Sequence, residues 1–378
     1  MIKVLHFYKT YYPDTFGGIE QVIFQLAEGS KNSEIETTVL SLTPGDTDLN
    51  ATIASHKAFR IHADFSIASS PFSLRALSLF KKLANEADII HYHFPWPFMD
   101  VLHFICKINK PTVVSYHSDI VRQKNLLKIY TPLMHKFMSS VDKIVATSPN
   151  YVETSPTLKK YIDKVDVIPI GINQAGYELP AHEALDSWRA RLPERFFLFV
   201  GTLRYYKGLH ILLEANKKKD YPIVIVGSGP IQNELKLQAD ALGLQNIIFL
   251  GALDDVDKIA LLHLSYAMVF PSHLRSEAFG ISLLEGAMFS KPLISSEIGT
   301  GTSWINIHQE TGIVVPPSDP EALAIALETL WENPALATTY GDRAYQRYRE
   351  HFTGEKMVSA YQCLYKSLIK NTFADICD

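Results

Sequence analysis

Three cysteines in 378 residues, Cys106, Cys363 and Cys377, are too few and too scattered for a disulfide framework or a cysteine-built zinc site. No run approaches the roughly 18–20 apolar residues that carry a helix across a bilayer. The opening MIKVLHFYKTYYPD reads as a strand and a loop, without the apolar core and cleavage site of a secretory leader, so a cytoplasmic, reducing setting is expected. Net charge is only −4, from 36 basic and 40 acidic side chains, which argues against wholesale nucleic-acid binding. Low-complexity tracts and internal repeats are missing. No G-x-G-x-x-G follows the first strand of either half, so a hydride-transferring dehydrogenase is a poor reading.

What is present is a long alternation of apolar runs with helical stretches. The first half carries IKVLHFY (2–8), ETTVLSL (36–42), FRIHA (59–63), DIIHYH (88–93), TVVSYH (112–117), KIVATS (143–148) and VDVIPIG (165–171). The second carries FFLFVG (196–201), PIVIVG (222–227), NIIFLG (246–251), YAMVFPS (266–272), PLISS (292–296) and GIVVPP (312–317). Near-continuous Val, Ile and Leu content indicates strands covered on both faces, as in a parallel α/β sheet. The length fits two domains. The pattern breaks at about 172–190, where INQAGYELPAHEAL intervenes before FFLFVG. Near the end, Asp319 and Pro320 read as cap and first residue of a helix, and a final helix is expected over about Gly354 to Lys370.

Two glutamates eight residues apart, Glu277 and Glu285, sit in SEAFGISLLEGA between the YAMVFPS run and a small-residue helix. The spacing places Glu277 in the loop before the helix and Glu285 about two turns inside it. Free amides at a helix start attract phosphate, and carboxylates accept paired bonds from vicinal hydroxyls. Such a loop suits a ligand with both. Most glutamates are merely solvated, so the frame around this pair is what separates it from chance. Arg204 and Lys207 follow the first strand of the second half, one helical turn apart. A helix start disfavours cations unless an anion lies between them. Gly17 and Gly18 end the loop after the first strand, where open α/β sheets bind ligands.

These motifs resemble the retaining glycosyltransferases of the large family four, and the whole chain is most similar to bacterial polysaccharide and O-antigen mannosyltransferases. The resemblance implies a GT-B fold: two facing Rossmann-like domains with a cleft between them and a C-terminal helix returning to the first. Expected bounds are 1–175, 176–355 and 356–378. It implies a hexosyltransferase that takes mannose from GDP-mannose, or alternatively a hexose from a UDP-sugar, and passes it to an undecaprenyl-diphosphate-linked glycan. A non-catalytic nucleotide-sugar-binding protein is the rival from another class. The complete motif set argues against it.

In the same terms, the resemblance assigns the donor diphosphate to Gly17, Gly18, Arg204 and Lys207, a hexose hydroxyl to Glu277 and the ribose to Glu285. The backbone near Ala252 and Leu253 would read the base, Gly227 in VGSGP would approach the nucleotide, and amides of Phe279, Gly280 and Ile281 would help hold hexose and diphosphate. His117, which alone reads as an ordinary strand-end histidine, would lie against the transferred sugar. No metal is expected, since two cations already face the leaving group. The triplets Asp46–Asp48 and Asp255–Asp257 read as a solvated loop and a cap. His91 and His93 share a strand face but show no third ligand. Phe94, Trp96 and Phe98 read as core, with an acceptor platform as the alternative. Residues 101–143 carry seven Lys or Arg and two Asp, interleaved with apolar residues. That mixture fits either an interfacial helix on an anionic inner-membrane surface or an ordinary amphipathic helix.

Overall fold

β-branched and aromatic residues dominate the apolar runs, and each run forms a strand. The structure, a computed structural model, describes the chain apart from Phe16, Asn32, residues 46–48, Ala68, Ser69, residues 121–123 and Asp378, and apart from the side chains of 124, 125 and 371–377. Two compact units form, one of Met1–Gly171 with Gly354–Asp378 and the other of Ile172–Thr353.

The first unit contains β1 (Ile2–Phe7), β2 (Ile35–Thr43), β3 (Leu49–Ile53), β4 (His56–His62), β5 (Phe65–Ile67), β6 (Ser70–Phe72), β7 (Ile89–Phe94), β8 (Thr112–Tyr116), β9 (Lys143–Ala146) and β10 (Val165–Val167). Eight of them form one sheet in the order β10-β9-β8-β7-β1-β2-β4-β3, and β5 and β6 form a separate hairpin. Only β3 runs antiparallel in the large sheet. Sequence reading missed β3 because LNATI is largely exposed and carries no buried face. The second unit contains β11 (Phe197–Val200), β12 (Ile223–Val226), β13 (Ile247–Gly251), β14 (Ala267–Phe270), β15 (Leu293–Ser296) and β16 (Gly312–Val315), all parallel, in the order β13-β12-β11-β14-β15-β16. Both sheets are doubly wound. In each, the first strand lies beside a strand much later in sequence, and that reversal is where such sheets bind ligands, at their carboxyl ends.

The helix at 354 extends to Cys377, further than expected, and belongs to the first unit. It covers one face of the central strands: Tyr365 OH shares a 2.6 Å hydrogen bond with His91 Nδ1, and Tyr361 OH lies 2.6 Å from Ser115 Oγ. On that face the period of two puts histidines where aliphatic residues would ordinarily stand. His6 pairs in register with His91, and His93 with Ser115. Asp319 caps its helix as expected, accepting from the amides of Glu321 and Ala322.

The basic stretch runs through the helix Pro97–Ile105, strand β8, the helix Lys124–Ser140 and the start of strand β9. Tyr130 donates to Asp100, and Lys136 stands 4.7 Å over the Phe104 ring. Two residues of the stretch do not fit an interfacial role: Phe137 is fully buried, and Lys143 pairs with Asp166 at 3.1 Å on the sheet. Arg122 lies outside the described residues, as does the side chain of Lys124.

Four buried histidines carry a consequence for stability. Burial holds His6 and His117 down at about 3, and burial, then the neighbouring imidazoles, hold His91 and His93 well below the ordinary range. Above about pH 6.5 all four are neutral in both states and cost nothing. As pH falls below that value the unfolded chain takes up protons that the folded chain refuses, so stability drops toward pH 3. Each site contributes up to about 1.4 kcal/mol per pH unit in that window. The urea midpoint should therefore fall steeply on moving from about pH 7.5 to about pH 5.5. An unchanged midpoint would contradict the neutral cluster.

Candidate functional site

In the second unit the reversal lies between β11 and β14. The loop after β11 carries Arg204 and the 3₁₀ turn Tyr205–Lys207; the loop after β14 carries Ser272, His273 and Glu277. The two loops are bonded, with the His273 amide donating to the Tyr206 carbonyl at 2.9 Å. Lys207 and Glu277 form a direct ion pair, both about nine-tenths buried at the side chain. Ser272 Oγ donates to Glu277 Oε2 at 3.2 Å, and the Lys207 ammonium lies 4.7 Å from the centre of the Phe270 ring. Arg204 is exposed, so the two cations expected to act alike occupy unlike surroundings. Lys207 is held in place by its carboxylate, whereas the Arg204 side chain stands in solvent.

Glu285 is the fifth residue of the helix Ile281–Met288, a little over one turn in and not the two turns expected, because the helix starts only after Gly280. Its Oε1 accepts from Tyr177 OH at 2.8 Å and from Lys258 Nζ at 3.1 Å. Burial alone would lower the Lys258 pKa; the Glu285 and Asp255 carboxylates outweigh it and raise it. Neither Lys258 nor Tyr177 was visible as a site residue in sequence. Lys258 stands one turn into a helix after LDDV, and Tyr177 lies in a linker without a motif. Gly280 has φ of 100°, a left-handed geometry that a side chain would strain. No side chain caps the helix it opens, which leaves first-turn amides for a ligand. Phe279 is buried and Ile281 half-buried.

Gly227 follows β12 with φ of 129°, and a Cβ there would strike the Gly201 carbonyl. Close packing against the β11 loop thus explains this glycine as well as nucleotide approach does. Ala252 is exposed and Leu253 half-buried just past β13. Of the two acidic triplets, Asp46–Asp48 lies outside the described residues. In the other, Asp255 pairs with Lys258 at 2.9 Å and Asp257 accepts from Trp188 Nε1 at 2.8 Å, after a cap at Asp254.

In the first unit Gly17 precedes the helix Gly18–Gly29, which also begins without a side-chain cap. The loop before it is tied down. Thr10 and Thr15 each donate to Glu20 Oε1 at 2.7 Å, and Arg60 pairs with Asp14 at 2.7 Å. Glu20 is therefore a loop anchor in addition to an acid at a helix start. His117 follows β8, with its amide donating to the Phe94 carbonyl at 3.1 Å. Asp119 accepts from Tyr116 OH and Ser155 Oγ at 2.8 and 2.7 Å. Phe94, Trp96 and Phe98 are all buried core.

His6, His91 and His93 bring ring nitrogens within 4.8 Å of one another, and His6 is a third candidate ligand hidden from sequence. However, His93 shares its two nitrogens with His6 and His117, each at 3.0 Å. His91 shares its own with Tyr365 and with Ser115, the latter at 2.8 Å. A cation could take these lone pairs only by breaking the network.

The family model Glycosyltransferase Family 4 matches residues 16–175, and Glycosyl transferases group 1 matches residues 182–347. The chain is 59% identical over 352 residues to D-rhamnosyltransferase WbpZ of Pseudomonas aeruginosa, spanning 93% of this chain and 92% of that one. It is 50% identical over 370 residues to O-antigen chain mannosyltransferase C of Escherichia coli, spanning 98% and 100%. Among solved structures, sucrose-phosphate synthase of Thermosynechococcus elongatus aligns with a TM-score of 0.81 at 19% identity, over 98% of this chain and 100% of that one. Anabaena HepE in complex with UDP-glucose aligns with a TM-score of 0.75 at 18% identity, over 97% and 100%. The fold these two share with the chain is of the GT-B kind.

The unlike surroundings of the two cations separate their effects on stability. Lys207→Ala strands a buried carboxylate and should cost about 3 kcal/mol in urea unfolding. Arg204→Ala should stay within about 0.5 kcal/mol of the parent. Equal losses in both variants would contradict the buried pair.

Proposed function

The chain belongs to the group 1 and family 4 glycosyltransferases, and on that premise we propose that it transfers mannose from GDP-mannose, with retention, to a lipid-diphosphate-linked glycan of bacterial O-antigen or a related surface polysaccharide. The observation that carries the chemistry is the buried Lys207–Glu277 pair at the β11–β14 reversal. Lys207 and Arg204 offset the charge that the departing diphosphate gains, and the amides of Gly17 and Gly18 add to them. Glu277 holds a hexose hydroxyl, Glu285 the ribose, the backbone at Gly227, Ala252 and Leu253 the nucleoside, and the amides of Phe279, Gly280 and Ile281 the hexose and diphosphate. His117 lies against the transferred sugar.

With Glu277 held by Lys207, no carboxylate is assigned as a nucleophile. The bond from the anomeric carbon to the diphosphate breaks, the acceptor oxygen bonds to that carbon on the same face, and its proton passes to the leaving phosphate oxygen. Lys207 and Arg204 supply the positive charge that a metal would, so no metal is required. The mannose assignment follows the E. coli relative, whose similarity runs the length of both chains. The 59% identity to a D-rhamnosyltransferase supports a second reading, a GDP-D-rhamnose donor. D-rhamnose is 6-deoxymannose, so both readings share a manno-configured ring. A UDP-hexose donor and a non-catalytic binder remain the alternatives to exclude.

An acceptor with a lipid tail also places the chain at a membrane surface, on the cytoplasmic face of the inner membrane. No helix among the described residues is long and apolar enough to cross one. The helix Lys124–Ser140 buries Met134, Phe137 and Met138 and leaves Leu126 and Ile129 exposed beside Lys128. Exposed apolar residues beside lysines suit an interfacial contact.

Incubation with GDP-mannose and a lipid-diphosphate glycan should yield an α-mannoside by NMR, undiminished after exhaustive EDTA. A β-linked product would refute retention. Turnover with a UDP-sugar alone would replace the donor, turnover with none would favour the non-catalytic binder, and loss in EDTA restored by manganese would require a metal. In co-sedimentation, anionic vesicles should bind the protein in a salt-sensitive way. Failure to bind them would remove the membrane contact.

A further inference from the structure

His117 is the end of a chain of imidazoles. His6 Nδ1 and His93 Nε2 lie 3.0 Å apart, and His93 Nδ1 and His117 Nε2 lie 3.0 Å apart. All three rings are buried, and the His93 and His117 planes differ by only 13°. His91 lies beside this chain, 4.4 Å from His93 between ring centres, but is bonded elsewhere, to Tyr365 and Ser115.

A neutral imidazole has one N–H and one bare nitrogen. Each link of the chain needs one proton and one lone pair. Two protons at a link clash, and none leaves two lone pairs facing each other without water to separate them. Burial excludes the escape of charging a ring. Only two arrangements satisfy both links. Either all three rings carry their proton on Nδ1, or all three carry it on Nε2. The remaining nitrogen of His117, its Nδ1, is a donor in the first arrangement and an acceptor in the second. Its character is therefore tied to the tautomers of His93 and His6.

We propose that His93, backed by His6, is a positioning residue that holds the ring plane of His117 and ties its tautomer to that of the chain, so that the hydrogen-bonding character His117 offers the transferred sugar follows that of all three rings. The proposal rests on the assignment of His117 to that sugar. His91, Tyr361, Tyr365 and Ser115 support the chain from the side without belonging to it, which makes the C-terminal helix a brace for His93 through ring packing. A histidine ladder is a costly way to fill a sheet face that valine would fill more simply. An ordering role for His117 accounts for it.

Two measurements test this. Ring ¹⁵N shifts of the histidine-labelled protein should give His6, His93 and His117 the same tautomer fraction; opposite tautomers at neighbouring rings would overturn the chain, and this needs no variant. For turnover, His93→Phe keeps the ring volume and loses both bonds, and kcat should fall about tenfold to a hundredfold with donor KM little changed. His93→Asn, whose amide stands near the Nδ1 position, should recover part of that loss. His93→Phe combined with His117→Ala should be no slower than His117→Ala alone, because the first acts through the second. Wild-type turnover in His93→Phe beside a crippled His117→Ala would sink the positioning role and leave the function reading intact. Wild-type turnover in His117→Ala would sink the assignment of His117 itself. Additive losses in the double variant would mean that His93 acts on its own.

Discussion

The ion pair of Lys207 with Glu277 is the constraint on which the second unit's site depends. Its members lie seventy residues apart in sequence, one on each side of the reversal in strand order. A parallel sheet brings them together because β14 inserts beside β11 after two strands have been laid down on the other side. Taking both charges out of water is costly, and the pair persists only because each partner satisfies the other and Ser272 adds a donor. A cation held this way costs no reorganisation when negative charge develops nearby, which is the condition for electrostatic catalysis. Glu285 is treated alike: Lys258 and Tyr177 hold its carboxylate.

The first unit meets a different constraint. Its sheet face under the C-terminal helix is built from imidazoles and hydroxyls, where an apolar surface would be simpler. Each polar atom must then find a partner inside the protein. Tyr365 and Ser115 supply partners for His91, Tyr361 supplies one for Ser115, and His6 and His117 supply them for His93. Such a network holds the ring planes and leaves the chain of His6, His93 and His117 only two proton arrangements. The same network makes the unit vulnerable to acid, since no ring in it is easily charged.

Much of this was legible in the sequence, because parallel strands buried on both faces announce themselves as apolar runs. Each of the thirteen runs picked out became a strand. The exposed β3 and the hairpin of β5 and β6 had no such signal. Glu277, Glu285, Arg204 and Lys207 stood out by their frame, but their partners did not. That Lys207 meets Glu277, that Lys258 meets Glu285, and that His6 completes a chain through His93 are consequences of strand order and register. Local spacing carries no trace of them. His91 and His93 showed a shared face by period two, and their separate hydrogen-bond partners became distinct only once β1, β8 and the last helix were in place.

The central claim is a division of labour inside the buried pair, with Lys207 on the diphosphate and Glu277 on the hexose. Calorimetry of GDP and of intact GDP-mannose with Glu277→Gln and Lys207→Met tests it most directly. The account predicts that Glu277→Gln binds GDP as the parent does but binds the nucleotide sugar about tenfold or more weakly, a loss of about 1.4 kcal/mol or more. Lys207→Met should bind both ligands more weakly. Equal losses for GDP and GDP-mannose in Glu277→Gln, or unchanged GDP affinity in Lys207→Met, would contradict it.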